Sequence, residues 1–145
     1  MKKKILLIDA DSAIRHVLVR ILIDEDYGTV SAADGESALE YAAGVKFDLI
    51  LLDLKMPEKD GWASFQELSN LYPQVPIILM TAQSHQLFPA LAAGASALLE
   101  KPLDFECLIS TIRLLLEESP EARLVKQRAH QSSCYYFPGQ YAARL

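Results

Sequence analysis

Phe47-Asp48-Leu49-Ile50-Leu51-Leu52-Asp53-Leu54-Lys55-Met56-Pro57 is the stretch that decides the fold. Leu49 to Leu52 run without a polar break into the carboxylate of Asp53. A short unbroken apolar run bounded by turn signals reads as a strand buried on both faces, the pattern of a parallel sheet. Asp53 then stands where the strand leaves the core. Open α/β sheets bind their ligands there, outside the carboxyl ends of the strands. Taken alone, Asp53 reads equally well as a residue that only ends the strand and starts a turn and as part of a ligand site. The other strand ends decide between the two.

Towards the N-terminus, Ile5 to Ile8 is a second buried run, and it ends at Asp9. Asp11 or Ser12 caps the following helix. Ile14, Val17, Leu18, Ile21 and Leu22 recur there at helical spacing, so one face packs on the sheet. Tyr27 to Ala32 is a shorter, less apolar strand that suits an edge. Asp34 caps a second helix, which carries Ala38, Leu39 and Ala42 and stops at Gly44. Towards the C-terminus, Asp60-Gly61 is a turn signal. A helix with Trp62, Phe65 and Leu68 on one face follows and stops before Pro73. Val75 to Met80 is a strand closed by Thr81. Proline inside a helix costs ~3 kcal/mol. The next helix is therefore expected from near Phe88, with Pro89 in its first turn, to Gly94. Ser96 to Glu100 is the fifth strand, followed by Lys101-Pro102. Asp104 caps a last helix with Phe105, Leu108, Ile109, Ile112, Leu115 and Leu116 at helical spacing. Strand and helix alternate five times, which implies an α/β fold: a parallel sheet with helices on both faces and right-handed crossovers.

The 145 residues suit one domain, and 51% of them are hydrophobic, enough for a real core. Arg123, Lys126, Arg128 and Arg144 against Glu121 give residues 120–145 a net charge of +3, which leaves −8 on residues 1–119. An acidic body without a basic stripe argues against nucleic-acid binding by residues 1–119. Cys107 and Cys134 make no disulfide framework, which fits a reducing cytoplasm. After Lys2-Lys3-Lys4 the apolar run lasts only from Ile5 to Ile8, too short for a signal peptide or a membrane span. Pro120 marks a boundary: residues 1–119 form the domain and 120–145 a linker or tail. Residues 120–131 fit a short basic helix. Tyr135, Tyr136, Phe137 and Tyr141 are too dense in aromatics for an ordinary linker, and suit equally docking on the body or on a partner, the start of a further domain, or a stretch foreign to the domain. His16, His85 and His130 fit no metal spacing.

The polar residues at the strand ends form a set. Asp9, Asp53, Thr81 and Lys101 end the first, third, fourth and fifth strands, and all fall at one edge of a parallel sheet. Two carboxylates at one edge can hold Mg²⁺, which takes one or two protein carboxylates and keeps several waters. A hydroxyl and an ammonium beside them can hold a phosphoryl group. A carboxylate can itself accept that group as an aspartyl phosphate, with the charge on the transferred oxygens stabilised by its surroundings.

Leu7-Ile8-Asp9-Ala10-Asp11-Ser12, Leu52-Asp53-Leu54-Lys55-Met56-Pro57 with Asp60-Gly61, Leu79-Met80-Thr81-Ala82, Gly94-Ala95 and Glu100-Lys101-Pro102 together resemble the receiver domain of two-component response regulators, from residue 4 to about 118. That resemblance implies a flavodoxin-like, doubly wound five-stranded sheet in the order 2-1-3-4-5 with five helices. It implies Asp53 as phosphoacceptor and Thr81 and Lys101 as phosphoryl-binding residues. Mg²⁺ would be held by Asp9, Asp53 and the Lys55 backbone carbonyl. The donor would be a phosphohistidine on a sensor histidine kinase or phosphotransfer protein. An output domain or protein would read the switch, and a homodimer is compatible. The domain would then be a self-modifying switch and not a conventional enzyme. Lys55 and Gln83 match positions that tune dephosphorylation in the family.

The departures are specific. The family's second acid after the first strand is Ala10 here, which removes one charge and one oxygen from the metal site. Asp11 has two roles open to it, a further metal ligand or a helix cap, and capping preference favours the cap. The family's switch aromatic on the fifth strand is Leu98. The stretch from Thr81 to Gly94 is shorter than the commoner family spacing and contains Pro89. Ala10 and Leu98 keep open a pseudo-receiver, a binding module that no longer uses phosphate. Ile8-Asp9-Ala10-Asp11 also resembles the first motif of haloacid-dehalogenase phosphatases, but that leaves Asp53 and Lys101-Pro102 without a role.

Overall fold

The computed structural model of the protein describes residues 2–56, 60–119, 121–122 and 134–139. Strands β1 (Lys4–Ile8), β2 (Gly28–Ala32), β3 (Leu49–Asp53), β4 (Ile77–Thr81) and β5 (Ala97–Glu100) alternate with helices α1 (Ser12–Asp24), α2 (Gly35–Ala42), α3 (Gly61–Leu71), α4 (Leu87–Ala93) and α5 (Phe105–Glu117). The strands pair in parallel in the order β2-β1-β3-β4-β5. This is the flavodoxin-like arrangement that the resemblance implied. The sheet has one strand more than expected. β6 (Tyr135–Phe137) pairs in parallel with β5 and continues the sheet past it.

The central strands have no polar break because both of their faces are covered. Leu49 and Leu51 of β3 turn towards Leu18 and Leu22 of α1 and Leu108 and Ile112 of α5. Ile50 and Leu52 turn the other way, towards Ala38 of α2, Phe65 and Leu68 of α3 and Ala90 of α4. Every residue of β3 and of β4 is buried. β2 lies at the edge and is only half-buried, as its weaker apolar pattern predicts.

Aspartates start α1, α2, α3 and α5. Asp11 accepts from the Ala13 and Ile14 amides, Asp34 from Ser37, Asp60 from Trp62, and Asp104 from Glu106 and Cys107. Each cap satisfies amides that a helix start leaves without partners. Each also fixes the loop leaving a strand at the edge where Asp9 and Asp53 stand. Gly61 has a further role. A Cβ there would lie 2.2 Å from the Leu54 carbonyl oxygen, so only glycine lets α3 begin against the exit of β3. α4 starts at Leu87, one residue before the expected position, keeps Pro89 in its first turn and closes at Gly94.

β4 begins at Ile77 where Val75 was expected. Pro76 has no N–H to give a ladder, although its carbonyl accepts from the Ile50 amide at 3.0 Å. Of the stretch expected as a tail, residues 134–139 join the body through β6. Most of the basic helix expected over 120–131, with His130, Tyr141 and Pro57, lies outside the described residues. Among the described residues no helix is long and apolar enough to cross a membrane.

The core and the caps carry different weights. Leu51→Ala is expected to cost about 2–5 kcal/mol and Asp104→Ala about 1 kcal/mol. Urea unfolding of the two variants beside the wild type checks the ranking.

Candidate functional site

Parallel pairing of the five strands brings their C-terminal ends to a single edge, and four of the predicted residues meet there. Asp9 directly follows β1 and is fully buried; Asp53 ends β3 and Thr81 ends β4, both buried. Lys101 directly follows β5. Its Nζ lies 3.0 Å from Asp9 Oδ2 and 3.1 Å from Asp53 Oδ2, so one ammonium bridges two carboxylates. Backbone amides take the other carboxylate oxygens. The Asp11 N–H donates to Asp9 Oδ1 at 2.9 Å and the Lys55 N–H to Asp53 Oδ1 at 3.1 Å. Thr81 Oγ1 accepts from the Gln83 amide at 3.0 Å, and its carbonyl accepts from the Lys101 amide at 2.7 Å.

Two negative charges face one positive charge with little solvent. Burial raises the Asp53 carboxyl above its ordinary value; the Lys55 amide opposes this, the Asp9 charge adds to it, and Lys101 opposes it. Burial pulls the Lys101 ammonium down, but the hydrogen bond to Asp9 and the charges of Asp53 and Asp9 outweigh it and leave the group raised. Lys101 therefore stays charged at neutral pH. The set keeps an excess of negative charge, and buried charges of one sign are costly unless compensated.

The remaining candidates fall into place around this group. Asp11 is committed to capping α1 through its Oδ1, at 2.9 Å from the Ala13 amide and 3.3 Å from the Ile14 amide. The structure thus brings the Asp11 backbone to the site and turns its carboxylate to the helix. Ala10 is exposed and brings no side-chain oxygen. Leu98 is fully buried in the core on the α4 side of the sheet. Lys55 and Gln83 reach the site through their amides. Among the described residues no group of three or more His, Cys, Asp or Glu side chains is gathered for a metal. Two residues here were missed in the sequence. Arg15 donates from Nη1 to the Asp9 carbonyl at 2.6 Å. A basic residue in the first turn of the helix after Asp9 was the available signal. Gly139 lies against Lys101, and nothing local in its surroundings marks that contact.

Residues 5–113 match the family described as the response regulator receiver domain. The chain belongs to that family. This receiver is 38% identical over 114 residues to the transcriptional regulatory protein ZraR of Escherichia coli K12, a match that takes 77% of this chain and 26% of ZraR. It is 36% identical over 122 residues to the transcriptional regulatory protein GlrR of the same strain, covering 81% of this chain and 27% of GlrR. The chain thus spans about a quarter of the length of these curated relatives. Among solved structures, a CheY-like receiver domain from Methanospirillum hungatei JF-1 superposes with a TM-score of 0.76 at 31% identity, over 83% of this chain and 98% of that one. The response regulator TrrA of Thermotoga maritima, solved in complex with Mg(2+)-BeF, gives a TM-score of 0.71 at 32% identity, over 78% of this chain and 98% of that one. The receiver is therefore a two-component signalling domain, and the phosphatase reading of Asp9-Ala10-Asp11 lapses.

The charge imbalance has a measurable sign. A carboxyl whose folded value is raised binds its proton more readily folded than unfolded, so stability falls as pH rises through the window from about 3.8 upwards. Ionised Asp53 is thus a cost at neutral pH. Asp53→Asn is expected to raise the Tm at pH 7, and the gain is expected to shrink as pH falls into the ordinary carboxylate range. Lys101→Met, which leaves the two carboxylates facing each other, is expected to lower the Tm at pH 7. Thermal unfolding between pH 4 and 8 reads all three.

Proposed function

We propose that this receiver is a phosphorylation-controlled switch with Asp53 as phosphoacceptor. The observation that carries the proposal is the Lys101 ammonium held between Asp9 and Asp53, with Thr81 ending the neighbouring strand. An Asp53 oxygen attacks the phosphorus of a phosphohistidine on a sensor histidine kinase or phosphotransfer protein. The new O–P bond forms as the P–N bond breaks, and the electron pair returns to the imidazole. Lys101 and Thr81 are suited to hold the phosphoryl oxygens, a cation and a hydroxyl set in advance where charge gathers. The chain acts on itself, so it is a switch and not a conventional enzyme.

The donor set fits a hard cation, because two buried carboxylates exceed the single ammonium between them. Asp9, Asp53 and the Lys55 carbonyl are the groups that would hold Mg²⁺, whose charge would offset that gathering on the phosphoryl oxygens. TrrA, solved with Mg(2+)-BeF, supports this by likeness. Ala10 leaves the site one carboxylate poorer, so the affinity is expected to be weak. The output is a protein contact, in a downstream domain or a separate chain, and two free cysteines suit a cytoplasmic setting.

Intact mass after incubation with Mg²⁺ and acetyl phosphate tests the assignment, with Asp53→Asn and Ala10→Asp alongside. The wild type is expected to gain one phosphoryl group, Asp53→Asn none, and Ala10→Asp the same adduct at lower Mg²⁺. An unmodified wild type beside a modified Ala10→Asp would instead make the chain a phosphate-independent binding module.

A further inference from the structure

The Lys101 peptide is bounded on two sides. On one side its N–H donates to the Thr81 carbonyl at 2.7 Å. On the other lies Gly139, buried, where a Cβ would stand 2.8 Å from the Lys101 carbonyl oxygen and 3.3 Å from its carbon. Backbone approaches a peptide group that closely only at glycine.

β6 delivers Gly139 to that place. The Tyr135 amide donates to the Ser96 carbonyl at 3.1 Å, and Phe137 pairs with Leu99. The strand is anchored on both faces of the sheet. Cys134 packs on the α2–α4 side and Phe137 on the α1–α5 side. Burial raises the Tyr136 hydroxyl above its ordinary value, and Glu100, the residue before Lys101, adds to this. A cleft runs between Gly139 and the loop after Thr81, lined by Ala82, Gln83, Ser84 and Lys101. A strand of three residues makes few ladder bonds, and elements with few buried contacts open locally at low free energy. Its docking is therefore open to bias from what it touches.

We propose that β6 and Gly139 are a positioning element of the acidic site. Docked on the β5 edge, they hold the Lys101 backbone and so keep its ammonium between Asp9 and Asp53. Docking of residues 134–139 is then linked to phosphorylation of Asp53. This linkage rests on Asp53 being the phosphoacceptor; the positioning of Lys101 does not. Coupling is reciprocal. Displacing β6 alters the chemistry at Asp53, and a phosphoryl group on Asp53 alters the hold of β6 on β5.

The test uses the full chain with Gly139→Val, and Tyr135→Pro as a second route that removes the bond to Ser96. Hydrogen exchange over 97–99 and 135–137 reports release of the strand, at a temperature where circular dichroism shows the body folded. Release is expected to slow adduct formation with acetyl phosphate about fivefold or more. The slowing is expected to vanish in a Lys101→Met background, whereas a merely stabilising strand would leave both rates unmoved below the Tm. If the wild type takes no phosphoryl group, the phosphoacceptor assignment falls, and the positioning is read from the Lys101 ammonium resonance by nitrogen-15 NMR. A resonance that moves on release supports the positioning role. Unchanged rates, or an unmoved resonance where no adduct forms, with β6 released, overturn the proposal.

Discussion

Asp9 and Asp53 are buried side by side, and a single ammonium between them makes that possible. Lys101 is 92 residues from Asp9 and 48 from Asp53 along the chain, yet it contacts both. The contact exists because three parallel strands end at one edge. An unpaired carboxylate at this depth would be expensive. The ion-pair triad therefore ties β1, β3 and β5 to one geometry. Around it, nearly every other feature serves to hold strand ends in place: the aspartate caps of four helices, the close fit of Gly61 on Leu54, and the amides of Asp11 and Lys55 on the carboxylate oxygens.

The same constraint shows how the family pattern has been altered here. Lys101 and Asp53 keep their places, while Ala10 removes an oxygen beside Asp9 and Leu98 fills a core position with an aliphatic side chain. Ala10 brings no charge to the site, and the Lys101 ammonium lies between the two carboxylates. Arg15, on the Asp9 carbonyl, braces the loop that carries Ala10. β6 changes the edge of the sheet. Without it β5 would present unpaired backbone groups along its length, a surface that invites pairing with other chains. The strand covers that edge and reaches the Lys101 peptide.

The amino-acid sequence by itself determined the five alternating units, the burial of the central strands and the identity of the residues at their ends. These are local properties. Unbroken apolar runs such as Leu49 to Leu52 report burial on both faces, helical spacing reports an apolar stripe, and an aspartate before a helix reports its own cap. Only the tertiary structure decided which roles those residues took. Asp11 had two roles open, and the structure shows the cap. Lys101 was placed at the right edge by the sequence, but its bridging of both carboxylates depends on the register of β1, β3 and β5 through their neighbours. The aromatic density of Tyr135 to Phe137 allowed docking on the body among other readings, but not a strand on β5, because a short strand is defined by backbone hydrogen bonds to a distant partner and such bonds leave no side-chain pattern. Gly139 is required by a carbonyl group elsewhere in the chain, a demand that arises only once the sheet has brought the two backbones together.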